Sequence, residues 1–316
     1  MTSGTDERPS RRKKVIAFEE IGAFLRTALS SDRAICIGGL FKQNRPVALV
    51  RELIRLGIRD LQIFSSPGSG YDVDLLIAAG LVAETFLPAV TLENRLCPNF
   101  RSSVEQGKIR AHAIDALTIV GGLMAGASGL PFFPVAAWHG SDVIRLNPLA
   151  KEITSPFDAT PLYAVKALQP PLVLLHAQEA DEYGNVRHLT TMTYSDNLMA
   201  RAGKKVIVSV DRLVKHELIT SHPRETTIPC IYVDAVVEIP FGAHPTASFP
   251  HYSMDDAFIE DFANLSDEVR RDRTVQPLLE NYIEKFVHKP HDIFAYIDAI
   301  GGYRRLSDLE REARFI

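Results

Sequence analysis

The stretch VDAVVEIPFGAHP, residues 233–245, decides how the rest of the chain is read. Its first half has the pattern of a strand: Val233, Ala235 and Val237 alternate with Asp234, Val236 and Glu238, and β-branched residues dominate. Pro240 halts the strand, and Gly242-Ala243-His244-Pro245 cannot sustain regular structure. A bend carrying His and Gly directly after a buried strand is a common way for α/β folds to build sites. The residues alone leave two readings of His244 open, a satisfied structural side chain in a tight turn or a member of a site.

The same strand-then-small-residue pattern recurs upstream. Segment 16–30 places Phe18, Ile21, Phe24, Leu25 and Leu29 on one helical side. Residues 34–37 form a short strand ended by Gly38-Gly39, and Lys42 and Arg45 precede Pro46, which opens a helix over 47–56 that Gly57 stops. Residues 60–64 are a second strand, followed by a Ser- and Gly-rich loop, 65–70. Further helices are expected over 72–79, 101–106, 117–127 and 198–202, and strands over 83–86, 107–111, 131–135, 172–177 and 205–210. Segment 147–161, with Pro148, Pro156 and Pro161, reads as loop-rich. Alternating strands and helices predict an α/β fold: an open, mostly parallel sheet flanked by helices. Charged amphipathic segments at 255–262, 276–286 and 291–297 add a C-terminal helical tail. The expected organisation is a disordered tail over 1–14, an α/β domain over 15–254 and a helical extension over 255–316.

Composition narrows the function. A chain of 316 residues with 46% apolar and 23% charged residues has enough apolar content for a substantial core. Its formal net charge of -4 speaks against a nucleic-acid binder. The three cysteines, Cys36, Cys97 and Cys230, are far apart, which argues against disulfides and zinc and for a reducing cytoplasm. No apolar run approaches a membrane span.

Three loops leave strands on small residues, at 38–46, 65–70 and 242–245. In a parallel sheet such loops gather at one edge, where ligands bind. Exposed backbone N–H groups there, with Lys42 and Arg45 nearby, suit an anionic ligand or a developing oxyanion. Neither GxGxxG nor GxxxxGK[ST] occurs, and there is no HExxH or GxSxG. Ser65 and Ser66 are turn-capping residues or, with no base in view, a candidate nucleophile. His176, Asp181, His244 and Glu238 fit no metal-ligand spacing, so no metal is expected. Asp181 and Asn185 bracket a turn with Gly184 at positive φ.

An ordered set of motifs resembles the alpha subunit of the family I coenzyme A transferases, in the glutaconate-CoA-transferase-like branch. It comprises Gly38-Gly39 with Arg45-Pro46-Val47-Ala48, Cys97-Pro98-Asn99-Phe100-Arg101 with Glu105-Gln106-Gly107, and Ala125-Gly126-Ala127 through Gly129-Leu130-Pro131-Phe132. His176-Ala177 with Ala180-Asp181 and Gly184-Asn185 follows, and then the opening stretch through Thr246. The resemblance covers residues 30 to 250. It implies exchange of CoA between small carboxylic or dicarboxylic acids through a glutamyl anhydride and a glutamyl-CoA thioester, with coenzyme A as substrate and no resident cofactor. The glutamate belongs, in two-subunit members, to a Ser-Glu-Asn-Gly-type segment of a beta subunit. Here Glu93-Asn94 comes nearest but precedes Arg95. The resemblance therefore implies no catalytic nucleophile in this chain and a beta partner in an α2β2 heterotetramer. It assigns Gly38, Gly39, Lys42, Arg45, Ser66 and Ser69 to the substrate wall. A related branch of ring-cleaving CoA hydrolases carries an acidic residue where Ala116 stands, one place after Asp115, and many family members have Glu-Arg where this chain has Gly121-Gly122. That hydrolase, and a non-catalytic ligand-binding protein on the same fold, are the alternatives.

Overall fold

The computed structural model describes residues 12–190 and 193–314. Most of the tail expected over 1–14 lies outside the described residues. Eleven strands and twelve α-helices are present among the described residues. The main sheet contains β1 (Ala34–Ile37), β2 (Leu61–Phe64), β3 (Val82–Phe86) and β4 (Arg110–Ala111). A second group in it is β8 (Leu172–Ala180), β9 (Val186–Arg187), β10 (Val206–Leu213) and β11 (Ala235–Glu238). The order is β11-β10-β8-β1-β2-β3-β4, all parallel, with β9 antiparallel on β8. A second, antiparallel sheet has the order β5-β7-β6, from β5 (Phe132–Val135), β6 (Ala150–Thr154) and β7 (Pro161–Lys166).

This second sheet corrects two expectations. Residues 131–135 do not continue the parallel sheet, and 147–161 is not all loop. Strand β6 reads AKEIT and is mostly exposed, so it lacks the apolar run that marks a core strand. Its stability comes from pairing with β7, whose Tyr163 and Val165 are buried.

Helices α1 (Ile21–Ala28), α2 (Val47–Leu56), α3 (Tyr71–Ala78) and α4 (Pro98–Glu105) follow the expected periodicity to within a few residues. After them come α5 (Ala116–Ala127), α6 (Val143–Leu146), α7 (Asp196–Ala202) and α8 (His216–Ser221). The C-terminal helices are α9 (Asp256–Arg271), α10 (Gln276–Ile283), α11 (Ile293–Ala299) and α12 (Gly302–Ala313). Two cores sandwich the sheet. One joins α1, α2, α3, α9 and α10 through Leu25, Leu53, Leu75, Phe262 and Ile283; the other joins α5 and α7 through Ile119, Leu123 and Met199. Strand β11 shows the pleat, sending Ala235 and Val237 to the first core and Val236 to the second. Its outer edge is covered by the N-terminal segment, where Ile16 N donates to Val236 O and Val236 N to Lys14 O. In α5 the glycines admit backbone: a Cβ on Gly126 would lie 2.0 Å from the carbonyl oxygen of Leu168.

The chain runs from β1 outward to β4, then returns to the other side of β1 through β8. That reversal makes the carboxyl end of β1 a topological switch point, where open α/β sheets form a ligand crevice.

Candidate functional site

Gly38 and Gly39 sit at the switch point, and both are fixed by neighbours. A Cβ on Gly38 would meet Leu175 at 2.4 Å and the Asp196 carboxylate at 2.6 Å. Gly39 has φ +82, and its Cβ would lie 2.4 Å from Asn44 O. Neither amide is exposed, contrary to the expectation of free N–H groups in this loop. Gly38 N donates to Leu174 O, and Gly39 N donates to Asp196 Oδ1 at 2.8 Å. The next residues close on themselves through Leu40 N to Gln43 O, while Asn44 N donates to Ala247 O and Arg45 N to Thr246 Oγ1. The reason is burial: an amide shut away from water has to be paired inside the protein.

Arg45 is fully buried and holds the carbonyl of the same residue. Its Nη1 donates to Gly39 O at 3.0 Å and to Gly68 O and Ser65 Oγ at 3.3 Å. Its Nη2 donates to Ser69 Oγ at 2.6 Å and to Asp72 Oδ2 at 2.5 Å. Asp72, also fully buried, accepts Gly70 N with its second oxygen. The structure thus brings Gly39, Arg45, Ser65, Ser69 and Asp72 together as a strut between two loops. Lys42 is turned the other way, to Asp256 at the start of α9, at 2.9 Å. Ser66 differs from its neighbours: it is buried, precedes a cis bond to Pro67, and its hydroxyl has no hydrogen bond among the described residues.

Asp196 and Asp211 are charged residues of this edge that the sequence reading missed. Asp196 is 1% exposed and faces His188 Nε2 at 3.4 Å, while His188 Nδ1 is paired with Thr227 Oγ1 at 2.7 Å. Asp211 accepts from Ser248 Oγ at 2.5 Å and is paired with His251 Nδ1 at 3.1 Å and His176 Nε2 at 3.5 Å. Burial pushes its carboxyl up, but His176, His251 and Ser248 together hold it below the usual carboxylate range. Gln178 completes the network, donating to Asn44 Oδ1 at 2.8 Å and Ser248 Oγ at 2.9 Å. An Asp opening a short helix, and one in the middle of a strand, carried no spacing signal that tied either to the glycine loop.

His244 proves to be structural. Its Nδ1 is paired with Tyr296 OH at 2.8 Å and its Nε2 with Asp255 Oδ2 at 3.2 Å. Arg305 of α12 grips Asp255 with two donors at 2.6 and 2.9 Å, and Arg51 stacks 3.5 Å over the Tyr296 ring. Burial depresses the His244 pKa, opposed by Asp255, and the Asp255 carboxyl is held well below its ordinary range by His244 and Arg305 against its own burial. The bend is a clasp for the C-terminal helices. Asp181 likewise serves its turn, accepting Tyr183 N, Asn185 N and Asn185 Nδ2, with Gly184 at φ +91. Asp115 caps α5, accepting Thr118 N at 2.9 Å and Trp138 Nε1 at 2.8 Å. Among the described residues no cluster could hold a metal ion, the three cysteines are unpaired, and no helix is long and apolar enough to cross a membrane.

What a crevice with buried struts and buried carboxylates belongs to is answered by comparison with known proteins. The coenzyme A transferase family model matches residues 18–239. Glutaconate coenzyme A-transferase of Acidaminococcus fermentans superimposes with a TM-score of 0.82 at 28% identity, over 94% of this chain and 95% of that one. The chain therefore belongs to the coenzyme A transferase family, and within it is of the alpha type. It is similar to one of the subunits of the 3-oxoadipate CoA-transferase of Pseudomonas knackmussii, 34% identical over 75% of this chain and 83% of the relative. It is also similar to the cholesterol ring-cleaving hydrolase IpdA subunit of Rhodococcus jostii, 34% identical over 80% of this chain and 87% of the relative. An uncharacterised protein of Archaeoglobus fulgidus matches 95% of this chain at 30% identity, and the match spans 64% of that protein's length.

Proposed function

We propose that this chain is the alpha subunit of a heteromeric CoA transferase that moves CoA between small carboxylic or dicarboxylic acids in the cytoplasm, in an α2β2 assembly whose beta subunit supplies the glutamate. The observation that carries the proposal is the state of the crevice carboxylates. Asp72 is locked to Arg45, Asp196 to Gly39 N, and Asp211 to Ser248 and His251. Each of these carboxylates is buried and has an oxygen tied to a donor of this chain, which makes it a poor nucleophile and supports an attacking group from another chain. That carboxylate attacks the acyl thioester and expels CoA as thiolate, leaving a mixed anhydride. The thiolate then attacks the glutamyl carbonyl of the anhydride, releasing the first acid and leaving glutamyl-CoA; the acceptor acid reverses the steps.

In this reading Gly38, Gly39 and Ser66 face the acyl group. Arg45, Ser69 and Lys42 fix the loops that carry them, and α9–α12 form an extension against the partner. The free hydroxyl of Ser66 supports a hydrogen bond to an acyl oxygen. Asp115, spent on Thr118 and Trp138, is unavailable for the acidic role of the hydrolase branch. The test is coexpression with the copurifying beta chain, an acyl-CoA/acetate exchange assay, and borohydride trapping of the partner's glutamyl thioester. Full exchange by this chain alone would refute the division of labour. Release of free CoA with no acceptor acid would favour the hydrolase instead.

A further inference from the structure

The amino-terminal edge of the main sheet, opposite the crevice, carries a groove that none of this chemistry uses. Two adjoining hollows share Ile16, Phe24, Lys204 and Lys205 as a common wall. They lie where the chain enters β1, β8, β10 and β11, since Asp32, Pro171, Lys205 and Asp234 are the residues just ahead of those strands. The first hollow, about 460 Å³, is lined by Arg12, Lys14, Arg201, Lys204 and Lys205, and Asp234 is its one carboxylate among the described residues. The second, about 540 Å³, has a floor of Ala23, Phe24 and Ala28 from α1 and a rim of Glu20, Thr27, Ser30, Ser31 and Asp32.

These cations do not answer buried acids. Lys205 pairs with Asp234 at 2.8 Å, and Asp234 also accepts Val206 N. The half-buried Lys14 ammonium donates to the carbonyls of Cys230 at 2.5 Å and Val233 at 2.6 Å, which carry no charge. Arg201 stands in the last turn of α7, where the helix dipole accounts for one cation of the five. In a chain of net charge -4 the hollow is a local reversal of sign. A concave cationic surface concentrates anions, and Arg and Lys are the usual phosphate grips. The neighbouring hollow offers an apolar floor for a ring and hydroxyl and carboxylate groups for sugar hydroxyls.

The geometry points to a second ligand site here, for a nucleoside carrying two or more phosphates, with the phosphates among Arg12, Lys14, Arg201 and Lys204 and the base and ribose against α1. It holds whichever reaction the crevice carries. Two sources share this chemistry: a free nucleoside polyphosphate, and the ADP end of coenzyme A.

Calorimetric titration of the full chain, with its partner where one copurifies, decides the matter using ADP, adenosine, tripolyphosphate and coenzyme A as probes. ADP is expected to bind at least about tenfold more tightly than adenosine or tripolyphosphate, and more weakly as salt is raised. The double substitution Arg201→Gln/Lys204→Gln, both on exposed side chains, is expected to weaken ADP by at least about tenfold while lowering the melting temperature only slightly, through the lost cation at the end of α7. A coenzyme A equivalent lost in parallel identifies the ADP end of CoA as the ligand; coenzyme A binding that the substitutions leave untouched identifies the free nucleotide. No ADP binding, or ADP binding indifferent to the double substitution, overturns the site. Tripolyphosphate binding as tightly as ADP overturns its nucleoside half.

Discussion

At the carboxyl edge of the main sheet Arg45 is sealed against Asp72, with the exposure of both side chains at zero, and Asp196 is sealed against Gly39 N. In the cationic hollow at the amino edge, five cations stand open to solvent or half-buried beside one carboxylate among the described residues, Asp234, which pairs with Lys205. The residue types are the same; the solvation is opposite. A buried charge must be paired at once, so it becomes architecture, whereas a solvated one keeps its field available to a ligand. A basic residue beside a glycine loop is therefore not evidence of anion binding until its burial is known. Arg45 illustrates this: it acts on the protein's own carbonyls and carboxylate.

The largest expected effect comes from breaking the buried pair. Arg45→Met leaves Asp72 as an uncompensated buried charge and should cost about 3–5 kcal/mol in denaturant unfolding. Arg45→Met/Asp72→Leu removes both charges and should regain most of that loss. If the double substitution is no better than the single one, pairing is not what holds the strut.

Next come the two serines of the neighbouring loop. Ser69→Ala removes a hydroxyl bonded to the guanidinium and should cost about 1.5–3 kcal/mol of stability. Ser66→Ala should leave stability within about 0.5 kcal/mol and instead lower acyl exchange by about tenfold. Equal effects of the two on melting would erase the distinction between strut and wall.

A smaller effect is expected from pH. His244 has a depressed folded pKa, so its contribution is complete above the unfolded value of about 6.5 and is lost as pH falls. Asp74 works the other way. Burial raises its carboxyl to about 6, against the bonds from Phe100 N and Asn99. The folded state therefore keeps a proton that the unfolded chain releases, and the burial cost is relieved as pH drops below 6. Asp74→Asn should remove that relief, making thermal stability fall more steeply below pH about 6 than in the parent. Parallel profiles would show that Asp74 does not titrate as inferred.

The smallest expected change is at Lys42, whose partner Asp256 is 59% exposed. Lys42→Ala should shift unfolding by about 0–1 kcal/mol. A loss above that range would make this pair, buried at Lys42 and exposed at Asp256, as structural as Arg45–Asp72.

Most of the parallel sheet was legible because β1, β2, β8 and β11 are short apolar runs punctuated by Gly, Ser or Pro, and α2 begins after Pro46 and ends at Gly57. The β5-β7-β6 sheet was not, since Lys151 and Glu152 face solvent and its small buried cluster of Val135, Ala150, Tyr163 and Val165 is scattered over three separate segments. Within the crevice the glycine and serine loops were legible and their partners were not. Asp72 lies 27 residues from Arg45 and Asp196 157 residues from Gly39, and no local pattern encodes such pairings. A faint signal existed in α3, YDVDLLIA, where two aspartates stand in an otherwise apolar helix. Such acids need partners, and both have them.

Gly39, held at both its N–H and its carbonyl, has a consequence for how this crevice can change over generations. Asp196 on one side and Arg45 on the other fix the root of the loop, while Leu40 and Gln43 at its tip are only half-buried and contribute backbone bonds to each other. The side chains of Leu40 and Gln43 can therefore be exchanged without disturbing any strut. Variation in the acids accepted would accumulate at 40 and 43, and the root would stay as it is through lineages that differ in what they bind.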